Sequence, residues 1–123
     1  MSLMTDRKRV IGLGSARSGT DHFWKATVTS VALLVIVPIF LFSFGPLLGE
    51  PYAEVQAALA RPFPAVSAAL MLIVGFYHFR LGVQVVIEDY MQGLGRKVAI
   101  IVMACLSYGL MALGLVSLAQ IAL

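Results

Sequence analysis

Three long apolar runs organise the chain, about Lys25 to Phe44, about Pro64 to Ile87 and about Val98 to Leu123. Each has the roughly 20 residues that a helix needs to cross the hydrocarbon core of a bilayer. Turn signals separate them at Gly45-Pro46, Gly49 to Pro51, Pro62 to Pro64 and Gly93 to Gly95. The pattern predicts an all-α membrane protein with three transmembrane helices. An N-terminal arm covers residues 1–24, and one anchor domain covers 25–123, with spans at about 25–44, 64–87 and 98–123. No internal repeat or low-complexity tract is present, and three spans leave no room for a second domain.

Composition sharpens this. Of 123 residues, 60% are hydrophobic and 12% charged, too little polar surface for a water-soluble globule of this size. The basic residues set an expected orientation. The arm and the second loop hold Arg7, Lys8, Arg9, Arg17, Lys25, Arg96 and Lys97, whereas the first loop holds only Arg61. The N-terminus is therefore expected in the cytoplasm and the C-terminus on the opposite, periplasmic side. The net charge of +3 is read as this topological bias, not as a nucleic-acid footprint. The segment Val10 to Ala16 is broken by Gly12 and Gly14 and is too short for a signal-peptide core, so the arm is expected to be retained. Gly12-Leu13-Gly14-Ser15 lacks the strand and the third glycine of a dinucleotide loop and suits a flexible arm that packs on a partner. Cys105 stands alone, which excludes an intrachain disulfide and a cysteine-based metal site and makes it a small packing residue of the third span.

The chemistry concentrates in the second span, GFYHFRLGVQVVIEDY from Gly75 to Tyr90. An ionisable side chain in a membrane helix is a functional candidate by default. His78 lies about ten residues from the expected cytoplasmic end, roughly mid-bilayer at about 1.5 Å per residue. Gly75 and Gly82, at i−3 and i+4, leave the surface above and below the imidazole bare. Two readings stand: a flat macrocycle lies on this face with His78 as its ligand, or the glycines admit a neighbouring helix to which His78 hydrogen-bonds. A low-spin haem needs a second axial group at the same depth. Counting in from the other spans reaches Val35 and Tyr108, with Met111 a turn away, and His22 is too shallow. A second ligand, if haem binds, comes from another chain.

Arg80 points about 200° away from His78. It is in line with Gln84 and Glu88, which suggests that it snorkels along its own helix. The alternative is a partner for a propionate or an anionic lipid head group. Asp89 and Tyr90 close the span. Asp89 shares the face of His78, about 16 Å along the axis. Tyr90 serves as an interfacial anchor, or its phenol hydrogen-bonds a carbonyl of an amphipathic ligand while Asp89 relays protons.

A histidine, ten residues and Asp-Tyr at the end of the second of three spans resembles the smaller hydrophobic anchor subunits of bacterial succinate dehydrogenase, respiratory complex II. The run GLGSARSGTDHFWKATVTSV is similar to the segment leading into their first span. Together the motifs cover the chain from about Gly12 to the third span. The resemblance implies a multi-pass subunit of the bacterial inner membrane that, with a second hydrophobic anchor of the cytochrome b556 type, forms a base for an iron-sulfur subunit and a flavoprotein subunit. It implies two ligands of the assembled site, haem b and ubiquinone. It makes His78 the axial ligand of the haem iron, Tyr90 a hydrogen-bond donor to ubiquinone, and Asp89 part of the ubiquinone site and its proton delivery. Lys25 and His22 become haem propionate contacts, with Lys25 standing where family members often carry arginine, so that the charge is kept and the bidentate fork lost. The partner anchor supplies the other axial ligand, and this chain holds no active site for succinate. Two alternatives remain at this stage: the anchor of a quinol:fumarate reductase, and a non-redox scaffold or transporter subunit in which His78 and Arg80 line an ion path.

Overall fold

A computed structural model describes residues 5–12 and 18–123. The Leu13-Gly14-Ser15 part of the arm motif and Arg17 lie outside them. The order of elements is α1 (Asp6–Gly12), α2 (Gly19–Phe44), a 3-10 turn (Gly45–Leu47), α3 (Tyr52–Leu59), α4 (Pro62–Tyr90) and α5 (Gly93–Ala122). The three long helices are each apolar enough to cross a membrane. At 26, 29 and 30 residues they measure about 39, 44 and 45 Å, beyond the roughly 30 Å of a hydrocarbon core. Their ends therefore reach into the interfacial layers.

All three helices overrun the apolar stretches, for local reasons. α2 begins at Gly19, not near Lys25, because a polar first turn is still a good helix start: Asp21 sits where the helix dipole favours a carboxylate, and its Oδ2 lies 2.6 Å from Lys25 Nζ one turn on. α4 begins at Pro62, whose fixed φ and missing N–H suit a first helical position, after an extended Arg61. α5 begins at Gly93, whose φ of +64° lets the chain reverse after only Met91 and Gln92. The Gly93 to Gly95 signal is thus both turn and first helical turn.

Two short helices escaped the apolar pattern. α1 lies in the arm, where Thr5 caps it: the Lys8 N–H donates to Thr5 Oγ1 at 3.3 Å. α3 follows Pro51 in the first loop, carries Glu54 in its first turn, and is pinned by Leu59, 3% exposed.

Packing is sequential. α4 lies between α2 and α5, while α3 leans on α4 and α5. Leu59, Ala68, Leu81 and Ile87 are the buried apolar side chains among the described residues, and most large apolar side chains face outward. That is the expected balance where lipid replaces water, because helices there associate by close packing rather than by hiding apolar surface. Gly114 of α5 shows such a contact: a Cβ built there falls 3.1 and 3.2 Å from the two terminal carbons of Leu72. Gly114→Val is expected to overpack the α4–α5 seam and cost about 1–3 kcal/mol. Unfolding in mixed micelles, followed by far-UV circular dichroism, checks this.

Candidate functional site

Hydroxyls inside α2 show how a polar group survives in an apolar span. Thr27 donates to the Phe23 carbonyl at 2.9 Å, Ser30 to that of Ala26 at 2.9 Å, and Ser43 to that of Ile39 at 2.7 Å. Each is satisfied within its own helix. Thr29 goes further. Its Oγ1 contacts the Lys25 and Ala26 carbonyls at 2.8 and 3.0 Å and also lies 2.8 Å from Nδ1 of His78 on α4. Among the described side-chain hydrogen bonds, this one joins two spanning helices.

His78 is half-buried, and its Nε2 has no hydrogen-bond partner among the described residues. A Cβ built on Gly75 or Gly82 meets nothing within 4 Å, so the helix surface on either side of the imidazole is open. Gly75 also forms part of the wall of an apolar groove of about 500 Å³ between α4 and α5, with Phe76, Phe79, Met103 and Leu106. On the α2 side a hollow of about 300 Å³ is lined by Trp24, Lys25, Val28, Thr29 and Tyr77. A flat apolar macrocycle with one metal to ligate fits these surfaces: a free imidazole nitrogen, bare glycine faces and an adjoining cation.

The expected site residues are only partly brought together. Lys25 comes into the hollow beside Thr29, with its Nζ on Asp21. His22, one turn earlier, has a buried Nε2 without a partner among the described residues. Asp89 and Tyr90 end α4 exposed to the outside, Tyr90 at 86%. The depth count that named Val35 was displaced by the early start of α2; shifted from Lys25 to Gly19, the same interval lands on Thr29, the residue that does meet His78. A signal for Thr29 was available, since His22, Lys25 and Thr29 recur at i, i+3 and i+7 and share one face.

Two further expectations change. Arg80 does not run to Glu88, whose Oε1 accepts from Gln84 Nε2 at 2.8 Å. Its guanidinium carbon lies 5.6 Å from the centroid of the Tyr108 ring, and its Nε is buried without a hydrogen-bond partner among the described residues. The ring face offers the cation a partner that lipid lacks. Cys105 is free and exposed on α5 rather than buried in the packing of this chain.

Comparison with known proteins assigns the family. The chain matches the family described as succinate dehydrogenase/fumarate reductase transmembrane subunit over residues 1–118. It belongs to that family. It is 41% identical over 123 residues to the succinate dehydrogenase hydrophobic membrane anchor subunit of Paracoccus denitrificans, covering 100% of this chain and 95% of the relative. Proteins of the same description from Rickettsia bellii (strain RML369-C) and Rickettsia conorii (strain ATCC VR-613 / Malish 7) are 35% and 33% identical over 80 and 78 residues, in each case 63% of this chain and 62% of the relative. No solved structure matches. As a succinate dehydrogenase/fumarate reductase transmembrane subunit, the chain is a membrane-embedded part of an oxidoreductase complex.

The Arg80–Tyr108 pair yields one prediction. Tyr108→Leu is expected to cost about 0.5–2 kcal/mol, and less in an Arg80→Met background. The double-mutant cycle checks it, and an undiminished cost in that background would make the ring a packing residue alone.

Proposed function

We propose that this chain is the smaller hydrophobic anchor of a succinate:ubiquinone oxidoreductase in the bacterial inner membrane. Its arm lies in the cytoplasm and its C-terminus in the periplasm, an orientation supported by the basic residues of the arm and second loop. Residues 25–123 act as the anchor domain and residues 1–24 as a docking arm. The partners are a second anchor of the cytochrome b556 type, an iron-sulfur subunit and a flavoprotein subunit. The observation that carries the reading is His78, a half-buried imidazole held through Nδ1, with Nε2 free between two bare glycine faces.

Haem b, when bound between the two anchors, supplies a one-electron centre whose potential follows its axial ligands and their hydrogen bonds. The chain's residues do the positioning. His78 would hold the haem iron through Nε2, and the partner anchor would supply a further ligand. Gly75 and Gly82 admit the macrocycle to the helix surface. Lys25, with His22 a turn away, puts positive charge beside the site for a propionate, at the cost of loosening its pair with Asp21.

Ubiquinone is the substrate, and its reduction to quinol takes two electrons from the soluble subunits and two protons from the cytoplasm. Tyr90 donates its phenol O–H to a quinone carbonyl, and Asp89 beside it passes protons inward. Both are exposed at the end of α4, which suits a pocket completed by other subunits. The chain performs no covalent chemistry and leaves succinate to the flavoprotein.

The deciding experiment is a reduced-minus-oxidised visible spectrum of the complex purified through a tag on this chain, with co-purifying subunits weighed by mass spectrometry. A b-type band with flavin and iron-sulfur partners is expected, and absence of both would favour a scaffold. Two substitutions refine it. His78→Ala is expected to release or loosen the haem while the subunits still co-purify, as read from the same spectrum. Tyr90→Phe is expected to slow succinate-to-quinone transfer by about 10²- to 10⁴-fold, the range of a positioned proton donor, and to spare succinate oxidation by a soluble dye. Equal loss of both activities would mark Tyr90 as an assembly residue.

A further inference from the structure

We infer that Thr29 is a positioning residue for His78: its oxygen accepts the Nδ1 proton of the imidazole and so selects the tautomer whose lone pair sits on Nε2. The inference rests on the proposed role of His78 as axial ligand.

One proton decides the case. Thr29 Oγ1 has three neighbours within hydrogen-bond distance: the Lys25 carbonyl oxygen at 2.8 Å, the Ala26 carbonyl oxygen at 3.0 Å and His78 Nδ1 at 2.8 Å. A hydroxyl owns one hydrogen and two lone pairs, and a carbonyl oxygen only accepts. With the hydroxyl hydrogen turned toward Nδ1, the lone pairs of Oγ1 would face two carbonyl oxygens with nothing between them. The hydrogen therefore lies between the carbonyls, and Oγ1 accepts from Nδ1–H. A neutral imidazole protonated at Nδ1 carries its one acceptor lone pair on Nε2, the nitrogen without a partner among the described residues. The same contact fixes the rotation of the ring, because Nδ1 is tied to a backbone-anchored oxygen on another helix. Metal-ligating histidines ordinarily donate their other N–H to such an oxygen, which orients the ring and raises ligand basicity.

Thr27 is the internal comparison. It makes the same hydroxyl-to-carbonyl bond, to Phe23 at 2.9 Å, without an imidazole above it.

The test uses the intact purified complex and two readouts: haem retained per anchor chain after challenge with apomyoglobin, and the low-temperature electron paramagnetic resonance spectrum of the ferric haem, whose largest g value reports the mutual orientation of the axial ligand planes. Thr29→Val, which removes the oxygen and keeps the shape, is expected to weaken haem retention by about 10- to 100-fold and to move that g value. Thr29→Ser and Thr27→Val are expected to match the unsubstituted complex. If Thr29→Val does not accumulate, Thr29→Cys, with a weaker acceptor of similar size, carries the same readouts and the same expectation. Unchanged retention and spectrum in Thr29→Val, alongside a haem-free His78→Ala, overturns the role of Thr29 alone. So does an equal loss in Thr27→Val, which would trace the effect to the stability of α2. A low-spin spectrum retained in His78→Ala overturns the ligand reading itself, and with it this inference.

Discussion

Hydrocarbon offers no hydrogen-bond partner, and that single constraint sorts every polar group in the chain. The backbone meets it by running as three long helices. Thr27, Ser30, Ser43 and Ser67 meet it by turning their hydroxyls onto carbonyls of their own helices. Among the described residues, others stand apart: His78 with Thr29, Arg80 against Tyr108, the buried Nε2 of His22 and the hydroxyl of Ser107, 1% exposed and without a partner there. Two of these demands are met between helices of this chain, by Thr29 and by the Tyr108 ring.

The arrangement of helices follows the same logic. α4 carries His78 and Arg80 and takes the central place between α2 and α5, so that each of these two side chains has a neighbouring helix to meet. His78 turns toward α2 and Arg80 toward α5, consistent with side chains about 200° apart on one helix. Gly75 and Gly82 leave bare backbone on either side of His78. One helix thus presents three different environments around its circumference: a polar tie, a cation on a ring, and bare backbone.

The three spans were legible in the sequence because apolar runs of that length have few other uses, and His78 because an imidazole within one is rare. The helix ends were not, since Asp21 and Lys25 make a polar turn that is helical for electrostatic reasons while carrying no apolar signal. That error hid Thr29, because a depth counted from the wrong start selects the wrong residue. The destination of Arg80 was also illegible: Glu88 and Tyr108 are both acceptable partners, and only the placement of α5 chooses between them. Asp89 and Tyr90 stand out in the sequence by motif alone, and the chain leaves both exposed at the end of α4, with no enclosing geometry around them. The helix at Tyr52–Leu59 is short and is held by a single buried leucine, too little to show as a pattern.

The two-residue link between α4 and α5 bears on how the protein enters the membrane at all. α4 is the least apolar of the three spans and carries Arg80, whose transfer to mid-bilayer from the translocation channel costs about 2.5–3.5 kcal/mol on its own. α5 is uncharged beyond Lys97. With only Met91 and Gln92 between them, α4 and α5 are held side by side as neighbours. The strongly apolar helix then offsets the burden of its neighbour, and it brings the Tyr108 ring to Arg80 as the arginine leaves water.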